Sequence, residues 1–321
     1  ALLCAREPDA EVAAVTVELW ADPDNDGQRS CCSASAVSGA RALAHRLGLA
    51  HFTLDLRDEF RAGVVDPWLA AHAGGETPNP CVRCNGQVRL DAMLAFADRL
   101  GATTLATGHY ARTRHGLLRL AADPAKDQTY MLAALAPQTL ERMRFPLGEL
   151  TKPEVRALAE RAGLPVARRP DSQDLCFLAG TGRAAFLARH GGLRERRGDI
   201  VDRGGRVVGE HRGHHGFTVG QRKGIGIAAT EPLYVLATDA DANTVTVGPR
   251  EALRIATVRV RDVRVHRQPD AVKLRYRARA VGCQLAGDEI RLDEPVDGAA
   301  PGQTAVFLAG DAVVGCATIA P

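Results

Sequence analysis

Apolar residues in the first third of the chain follow two patterns that alternate along the sequence. Val15–Leu19 and Phe52–Leu56 are short apolar runs typical of buried strands. Between them, apolar residues recur at helical spacing over 36–47, and the same spacing predicts a second helix over 90–100. The run Thr103–Thr107 then predicts another strand. This order of strands and helices predicts a parallel α/β sheet.

A change of pattern near residue 190 predicts where the α/β part ends. Thr151 and Glu154 form a capping-box sequence, and the helix that they begin is expected to end at Gly163. Later segments are short, alternating and separated by glycine, so the second half should be mostly β. The strands predicted there are Tyr234–Ala237, Thr244–Val247, Val258–Val265, Lys273–Ala280 and Ala305–Leu308. We therefore predict three domains, with boundaries 1–190, 191–253 and 254–321.

Composition and charge narrow the classes of protein that the chain can be. It has 321 residues, of which 45% are hydrophobic and 25% charged, so two or three domains can each bury a core. Its net charge of +3 is mild, but the charge is unevenly distributed. The segment from Arg254 to Arg279 contains nine Lys and Arg residues and only two acidic residues, Asp262 and Asp270. Such a strip suits a phosphate backbone. It is equally typical of the water-facing side of antiparallel strands, and both interpretations stay open.

Cysteine usage and the absence of export signals indicate a reducing compartment. The eight cysteines are too scattered for a disulfide framework, so they are thiols, metal ligands or redox groups. No apolar run approaches the ~18 residues of a membrane span. The first twenty residues lack an export pattern as well. We expect a cytoplasmic protein that does not bind a membrane.

Two segments carry candidate cysteine chemistry. The run Thr77–Asn85 contains a Cys-x-x-Cys, Cys81 and Cys84, in a loop that two prolines extend and that leads to a helix beginning near Val88. Unpaired N–H groups at a helix start favour a thiolate. The alternative is a zinc knuckle that Cys31 and Cys32 would complete, although their spacing fits it poorly. Cys176, in a polar loop, is either a small core residue or a second reactive sulfur.

Seven short runs stand in order along nearly the whole chain: Cys31–Ser33, Thr77–Asn85, Thr107–Arg112, Lys126–Tyr130, Asp171–Phe177, Gly220–Gly224 and Arg275–Tyr276. A single Cys-x-x-Cys is a weak signal, but seven ordered runs leave little room for coincidence. Together they resemble one family, the bacterial tRNA 2-thiouridylases known as MnmA or TrmU.

The resemblance implies both a fold and a reaction. The fold would be α/β: a parallel-sheet ATP-pyrophosphatase (Rossmann-like) domain with inserted helices, a small mostly β central domain and a C-terminal β-barrel. The reaction would be ATP-dependent adenylation of the C2 oxygen of wobble uridine 34, with Mg, followed by sulfur transfer from a cysteine persulfide. The implied partners are tRNAs for Glu, Gln and Lys and a cysteine desulfurase or sulfur-relay protein, with the enzyme itself a monomer.

The resemblance also assigns roles to individual residues. Cys176 would carry the persulfide, and Cys84 would cut its S–S bond, leaving a Cys84–Cys176 disulfide. His109, in one of the matching runs, is either a hydrogen-bonded histidine at a strand end or a site residue. The remaining implied contacts are Val17 and Gly108 with ATP, Asn79, Pro80 and Cys81 with the target base, and Lys126, Asp127, Gln128, Arg275 and Tyr276 with tRNA.

Two departures from the family pattern leave alternatives open. Family members begin with a Ser-Gly-Gly-x-Asp-Ser loop that grips the ATP phosphates, and this chain starts beyond it, so as written it should be impaired; we expect a truncation. Cys81 stands where some relatives carry Asp, and with Cys84 and Cys176 it offers an iron–sulfur cluster as a less favoured alternative. The other functions considered are a non-catalytic RNA-binding homologue and a small-molecule synthetase of the same ATP-pyrophosphatase type, such as argininosuccinate synthetase.

Overall fold

The computed structural model describes residues 1–21, 34–168, 175–178 and 180–321. Two compact units make up the chain, the first formed by residues 1–64 and 81–183 and the second by 65–80 and 184–321. Cys31 and Cys32, together with the predicted loop residues 171–174, lie outside the described residues. No helix of the described part is both long and apolar enough to cross a membrane.

The first unit contains the predicted parallel strands. β1 runs parallel to β2, with Val15 opposite Phe52, and the intervening helix ends just before Gly48, whose φ of 71° suits glycine. β3 runs parallel to β6, but β3 covers only two residues of the predicted Thr103–Thr107 strand. The strands of this unit are β1 Ala13–Glu18, β2 Ala50–Asp55, β3 Leu105–Ala106, β4 Arg112–Arg114, β5 Leu117–Arg119 and β6 Met143–Arg144.

Helices surround these strands, and their ends follow local sequence signals. The predicted capping box is confirmed: the backbone N–H and hydroxyl of Thr151 both donate to Glu154 at 2.7 Å. That helix ends before Gly163, which has a φ of 62°. The helical segments with residues in this unit are Leu2–Ala5, Ala34–Arg46, Arg57–Phe60, the π-helix Arg61–Val65, Pro80–Cys84, the π-helix Asn85–Arg89, Leu90–Arg99, Thr129–Leu132, Pro137–Glu141, Lys152–Arg161 and Arg183–Gly191.

The second unit begins its β structure with a four-stranded sheet in the order β8-β7-β10-β9. Ile200, Val235 and Val245, each 1% exposed or less, form the centre of its core, as the predicted central β domain requires. The helix Asp66–Ala73 and the 3₁₀ turns His214–Gly216 and Arg250–Leu253 belong to the same unit. The four strands are β7 Gly198–Val201, β8 Val207–His211, β9 Tyr234–Asp239 and β10 Thr244–Gly248.

The C-terminal strands close into an antiparallel barrel in the order β11-β14-β13-β12-β15-β16, with β16 pairing back to β11. In β11 the exposed Arg259 and Arg261 alternate with the buried Val258 and Val260, which is the water-facing pattern predicted for these arginines. These strands are β11 Arg254–Val265, β12 Ala271–Lys273, β13 Val281–Ala286, β14 Glu289–Asp297, β15 Thr304–Ala309 and β16 Ala312–Ile319.

One predicted strand, Lys273–Ala280, is wrong. β12 ends at Lys273, and the backbone N–H of Ala278 instead donates to the carbonyl of Arg275 at 3.2 Å, the i to i+3 contact of a turn. The basic residues 275, 277 and 279 alternate with other residues in sequence, yet all three lie outside any strand.

Candidate active site

The Cys-x-x-Cys segment is helical, and the predicted helix start near Val88 is wrong. A helix already begins at Pro80 and continues, through the π-helix Asn85–Arg89, to Arg99. Proline suits the first position of a helix because its missing N–H would have no intrahelical partner there. The extended loop is therefore confined to residues 77–79, and both cysteines lie within the first two turns of a long helical run.

Glu76 and Thr77, just before this helix, form hydrogen bonds with residues of the C-terminal barrel, which belongs to the same unit. The backbone N–H of Thr77 donates to the carbonyl of Pro301 at 2.9 Å, and the side-chain amide of Gln303 donates to the carbonyl of Thr77. Arg261 also donates to both carboxylate oxygens of Glu76, at 2.9 and 2.8 Å. These contacts leave residues 76–78 little freedom. Of the residues expected to meet the target base, Asn79 and Cys81 are partly exposed and Pro80 is buried.

Gly63, in the helical segment Arg57–Val65, packs against the cysteine helix, which is the helical run that begins at Pro80 and contains Cys81 and Cys84. The Nε of Arg83 donates to the carbonyl of Gly63. A Cβ at Gly63 would lie 2.6 Å from Cγ2 of Val88, so the helix can approach this closely only because residue 63 has no side chain. Cys84 is 8% exposed and Cys81 partly exposed, and neither is in a disulfide.

Cys176 is held by the buried aromatic ring of the next residue. Phe177, only 1% exposed, meets Phe60 edge-on with centroids 5.9 Å apart and meets Trp20 at 6.4 Å. Cys176 itself is partly exposed and is not in a disulfide. The segment Arg57–Val65 therefore supports both predicted cysteine sites, through Gly63 on one side and Phe60 on the other.

The sequence also allows metal ligation by these sulfurs. Within the described ranges, no group of three or more His, Cys, Asp or Glu side chains is arranged to hold a metal ion. Cys81, Cys84 and Cys176 all belong to those ranges, so the three do not form a cluster-binding set in this structure.

His109 belongs to a partly buried chain of polar side chains beside the cysteine helix. Arg89 donates through Nη2 to Nε2 of His109 at 3.3 Å, and Nδ1 of His109 lies 2.8 Å from the hydroxyl oxygen of Thr107. Because arginine can only donate, Nε2 is the acceptor and the ring proton is on Nδ1. Burial, with a smaller contribution from the charge of Arg89, lowers the pKa of His109 from 6.5 to about 3. His109 is thus a neutral acceptor that aligns Arg89 and not a proton carrier near pH 7.

The two predicted ATP contacts lie at or near carboxyl ends of parallel strands. Val17 is the penultimate residue of β1, and the exposed Gly108 follows β3 by two residues. Open parallel sheets bind ligands at this edge. A Cβ at Gly108 would make only ordinary contact with Leu147, at 3.8 Å, so the protein's own packing leaves room over this backbone.

The predicted tRNA residues of the Lys126–Gln128 turn also make internal contacts. Asp127 accepts from the backbone N–H of Ala121 at 3.0 Å and from the hydroxyl of Thr129 at 2.8 Å. Gln128 exchanges hydrogen bonds with the backbone of Tyr110, accepting through Oε1 at 3.0 Å and donating through its own N–H at 2.9 Å. These residues shape the turn that presents Lys126, which is partly exposed.

Arg275 and Tyr276 lie in the turn that follows β12. Nη2 of Arg275 donates to the carbonyls of Asp297 and Gly298 at 2.8 and 3.1 Å. Tyr276 is partly exposed, and the guanidinium of Arg277 lies 5.9 Å from the centre of its ring. Arg275 therefore has a structural role whether or not it also contacts tRNA.

Two further cysteines are unsuited to nucleophilic chemistry. Burial raises the pKa of the Cys283 thiol to about 11, with the nearby Asp293 and Asp270 charges adding to the shift. Burial likewise raises the pKa of Cys316 to about 11. Both remain protonated at neutral pH, and a thiol is a poor nucleophile.

Sequence reasoning missed Asn85 and Arg89. Asn85 is 6% exposed and donates through Nδ2 to the carbonyl of Cys81 at 3.0 Å. The sequence contained a signal for both residues. Asn85 directly follows the Cys-x-x-Cys and Arg89 stands four positions later, a spacing that places two side chains on one face of a helix.

Comparison with protein-family models matches three consecutive segments of the chain. They are a tRNA methyl transferase HUP domain at residues 1–180, a tRNA methyl transferase PRC-barrel domain at 184–249 and an aminomethyltransferase β-barrel domain at 256–319. They agree with the observed parallel sheet, central β domain and closed barrel.

Curated relatives resemble the chain along nearly its whole length. A bifunctional protein NifU/MnmA of Rubrobacter xylanophilus is 45% identical over 99% of this chain and 66% of its own length. A tRNA-specific 2-thiouridylase MnmA of Thermobifida fusca is 43% identical over 100% of this chain and 92% of its own, and one of Geobacter metallireducens is 40% identical over 97% and 90%. With matches of this extent and order, the chain belongs to the MnmA (TrmU) family.

Proposed function

We propose that this protein is a tRNA sulfurtransferase that forms 2-thiouridine at wobble position 34, using ATP and sulfur from a cysteine persulfide. The observation that carries the proposal is the common support of the two cysteine segments on Arg57–Val65, through Gly63 and Phe60. The chemistry requires two sulfurs that act in succession on one base, and a shared support suits this requirement. The names of the relatives favour the same activity.

Cys176 and Cys84 act in sequence. ATP, as co-substrate, transfers its AMP group to the C2 oxygen of uridine; pyrophosphate is released and the N3 proton is lost, so the oxygen can then leave with AMP. The terminal sulfur of a persulfide on Cys176 attacks C2, AMP leaves with the oxygen, and C2 becomes linked to Cys176 through two sulfurs. The Cys84 thiolate then attacks the sulfur of Cys176, so that the S–S bond breaks and the thiolated base departs. The Cys84–Cys176 disulfide that remains requires a dithiol reductant to restore both thiols.

The remaining predicted contacts complete the proposal. Val17 and Gly108 would contact ATP, which would bring its own Mg, while Asn79, Pro80 and Cys81 would meet the extruded uracil. Contacts to tRNA would come from Lys126, Asp127, Gln128, Arg275 and Tyr276. A cysteine desulfurase or a sulfur-relay protein would load Cys176, and the substrates would be tRNAs for Glu, Gln and Lys.

Thiolation of a tRNA transcript by full-length protein tests this function. We expect Cys84→Ser and Cys176→Ser each to lose thiolation by several orders of magnitude, because neither serine can take part in sulfur exchange. Cys316→Ala is the matched control; its thiol is buried with a raised pKa, so thiolation should stay near the wild-type rate. Full activity in either serine variant would overturn the two-cysteine assignment.

The same assay separates the alternative functions. Tight tRNA binding by full-length protein with no ATP turnover would favour a non-catalytic RNA-binding homologue. Iron in anaerobically purified protein, together with loss of thiolation when the iron is removed, would favour a cluster on Cys81, Cys84 and Cys176.

A further inference from the structure

Two buried polar atoms beside Cys84 have no hydrogen-bond partner within the described part of the chain. They are Oδ1 of Asn85 and Nε of Arg89. The orientation of the Asn85 amide is determined, since only its Nδ2 can donate to the carbonyl of Cys81, and Oδ1 is therefore the unsatisfied atom. Buried polar groups are nearly always paired in folded proteins, so each of these atoms indicates a missing partner.

The two atoms belong to one helix face. Asn85 and Arg89 begin and end the same π-helical segment, four residues apart. Side chains on a helix lean toward its N-terminus, which places the Arg89 guanidinium over the turn that contains Asn85. Its Nη2 is already held by His109, so the position of Nε is restricted as well. A ligand that satisfied both atoms would present a donor next to an acceptor.

We propose that Asn85 and Arg89 read the Watson–Crick edge of the target uracil. Oδ1 of Asn85 accepts from N3–H, and Nε of Arg89 donates to a carbonyl oxygen beside it. Uracil offers this combination, whereas cytosine turns a lone pair at N3 toward Oδ1, placing acceptor against acceptor. The inference rests on the proposed function and names two residues that would restrict it to uridine, directly after Cys84 in the chain.

His109 serves as a positioning residue in this arrangement. As a neutral acceptor it binds one nitrogen of Arg89 without adding a competing positive charge. Glutamine at this position can accept from Arg89 in the same way, while phenylalanine cannot. His109→Gln should therefore keep uridine selection that His109→Phe loses.

Equilibrium binding of two transcripts without ATP tests the inference, one with uridine and one with 3-methyluridine at position 34. Binding is measured because adenylation of the C2 oxygen removes the N3 proton, so an N3-methyl group slows thiolation whatever residue stands at 85. Wild-type protein should bind the 3-methyl transcript several-fold more weakly. In Asn85→Ala that ratio should fall toward one, because the acceptor for N3–H is gone and space is left for the methyl group. Gln87→Ala is the control, since Gln87 is exposed on the same helical segment and should leave the ratio unchanged.

Other outcomes separate the hypotheses. If Asn85→Ala weakens binding of both transcripts equally, or leaves the affinity for the uridine transcript unchanged, the N3 contact is absent and trapped water satisfies the atoms. Should Asn85→Ala fail to fold, Arg89→Lys replaces it. That variant should weaken binding of the uridine transcript and keep the 3-methyl ratio, and an unchanged affinity for the uridine transcript would overturn the Arg89 contact. No thiolation by wild-type protein would instead contradict the proposed function.

An independent observation concerns the loop Thr218–Gly224 in the second unit. The side chain of Gln221 accepts from the backbone N–H of Thr218 at 3.1 Å and donates to the carbonyl of Lys223 at 2.9 Å. Gly220 lies against Arg275, since a Cβ there would fall 2.8 Å from Nη2. The loop is thus shaped without its own basic side chains. Arg222 and Lys223 are exposed, and neither side chain forms an ion pair or hydrogen bond with another described residue.

We infer that Arg222 and Lys223 bind the phosphate backbone of the tRNA, next to the implied contact residue Arg275. This also rests on the proposed function. A preshaped loop loses little conformational freedom when its two cations bind phosphates. Each neutralised phosphate contributes about 0.9 to the slope of log affinity against log salt for duplexes and about 0.7 for single strands.

Binding of tRNA over a range of salt concentrations tests this loop without any catalytic step. Arg222→Gln with Lys223→Gln should reduce the salt slope by between about one and two. The control is Arg206→Gln with Arg291→Gln, exposed arginines that are already paired with Asp202 and Glu289. An unchanged slope in the first double variant overturns the loop assignment, whereas wild-type protein that does not bind tRNA contradicts the proposed function.

Discussion

The ring of Phe177 meets the ring of Phe60 edge-on, with centroids 5.9 Å apart, and so attaches the Cys176 turn to the segment that also supports the Cys84 helix. Neither ring is a reactive group. Their packing nevertheless determines where the sulfur of the neighbouring Cys176 can lie, because Phe177 is fully buried.

Removal of the Phe177 ring should destabilise the protein and loosen the Cys176 turn. We expect Phe177→Ala to lower the free energy of unfolding by about 3–5 kcal/mol, since a large aromatic residue leaves a cavity. Denaturant titration followed by intrinsic fluorescence measures this. Val207→Ala, at a position 54% exposed, is the control and should change stability by less than about 0.5 kcal/mol. Equal midpoints for the two variants would show that Phe177 does not anchor the turn.

His109 should make the protein sensitive to acid. Its folded pKa, about 3, lies below the ordinary value of 6.5, so the folded state binds this proton more weakly than the unfolded state. Its stabilising contribution is therefore complete above pH 6.5 and is lost as the pH falls toward 3. In urea titrations between pH 7 and 4, His109→Gln should show a shallower decline of stability than wild type.

Burial also lowers the pKa values of His51 and His211. Their effect on the pH dependence of stability is the same in wild type and in His109→Gln. The difference between wild type and His109→Gln therefore isolates residue 109. Parallel stability curves over this pH range would contradict the burial of a neutral imidazole.

The Glu76–Arg261 pair should contribute modestly to holding residues 76–78. Its two hydrogen bonds are bidentate, and the side chains are 17% and 42% exposed, so solvent screens the pair. We expect Glu76→Gln to cost up to about 1 kcal/mol at low salt and less at high salt. Denaturant titration at two salt concentrations checks this. Glu289→Gln, from the more exposed pair with Arg291, should have a smaller effect, and the reverse order would refute the ranking.

Two glycine substitutions should have opposite effects. A Cβ at Gly148 would lie 1.9 Å from the carbonyl oxygen of Ala111, so Gly148→Ala must displace backbone and should cost at least about 2 kcal/mol. Gly39 lies within a helix with nothing within 4 Å of an added Cβ, so Gly39→Ala should stabilise by about 0.5–1 kcal/mol. Thermal or urea unfolding measures both. A stabilising Gly148→Ala would be incompatible with this backbone approach.

Local signals predicted most of the elements. The helix Ala34–Arg46, the Thr151 capping box and the alternating strand β11 follow from spacing, caps and alternation, which depend on neighbouring residues only. Such signals failed where a turn or a proline decided the outcome. The Lys273–Ala280 pattern resembles a strand but leads into a turn, and Pro80 begins a helix in a run that was predicted to be an extended loop.

By itself, the sequence determined the three-part architecture and singled out Cys84 and Cys176, because periodicity and ordered motifs are properties of the chain alone. Only the tertiary structure decided that Gly63 and Phe60 support the two cysteine segments together, that His109 is a neutral acceptor for Arg89, and that Asn85 keeps an unsatisfied oxygen. Burial and hydrogen-bond pairing depend on residues far apart along the chain, and no local pattern records which of them meet.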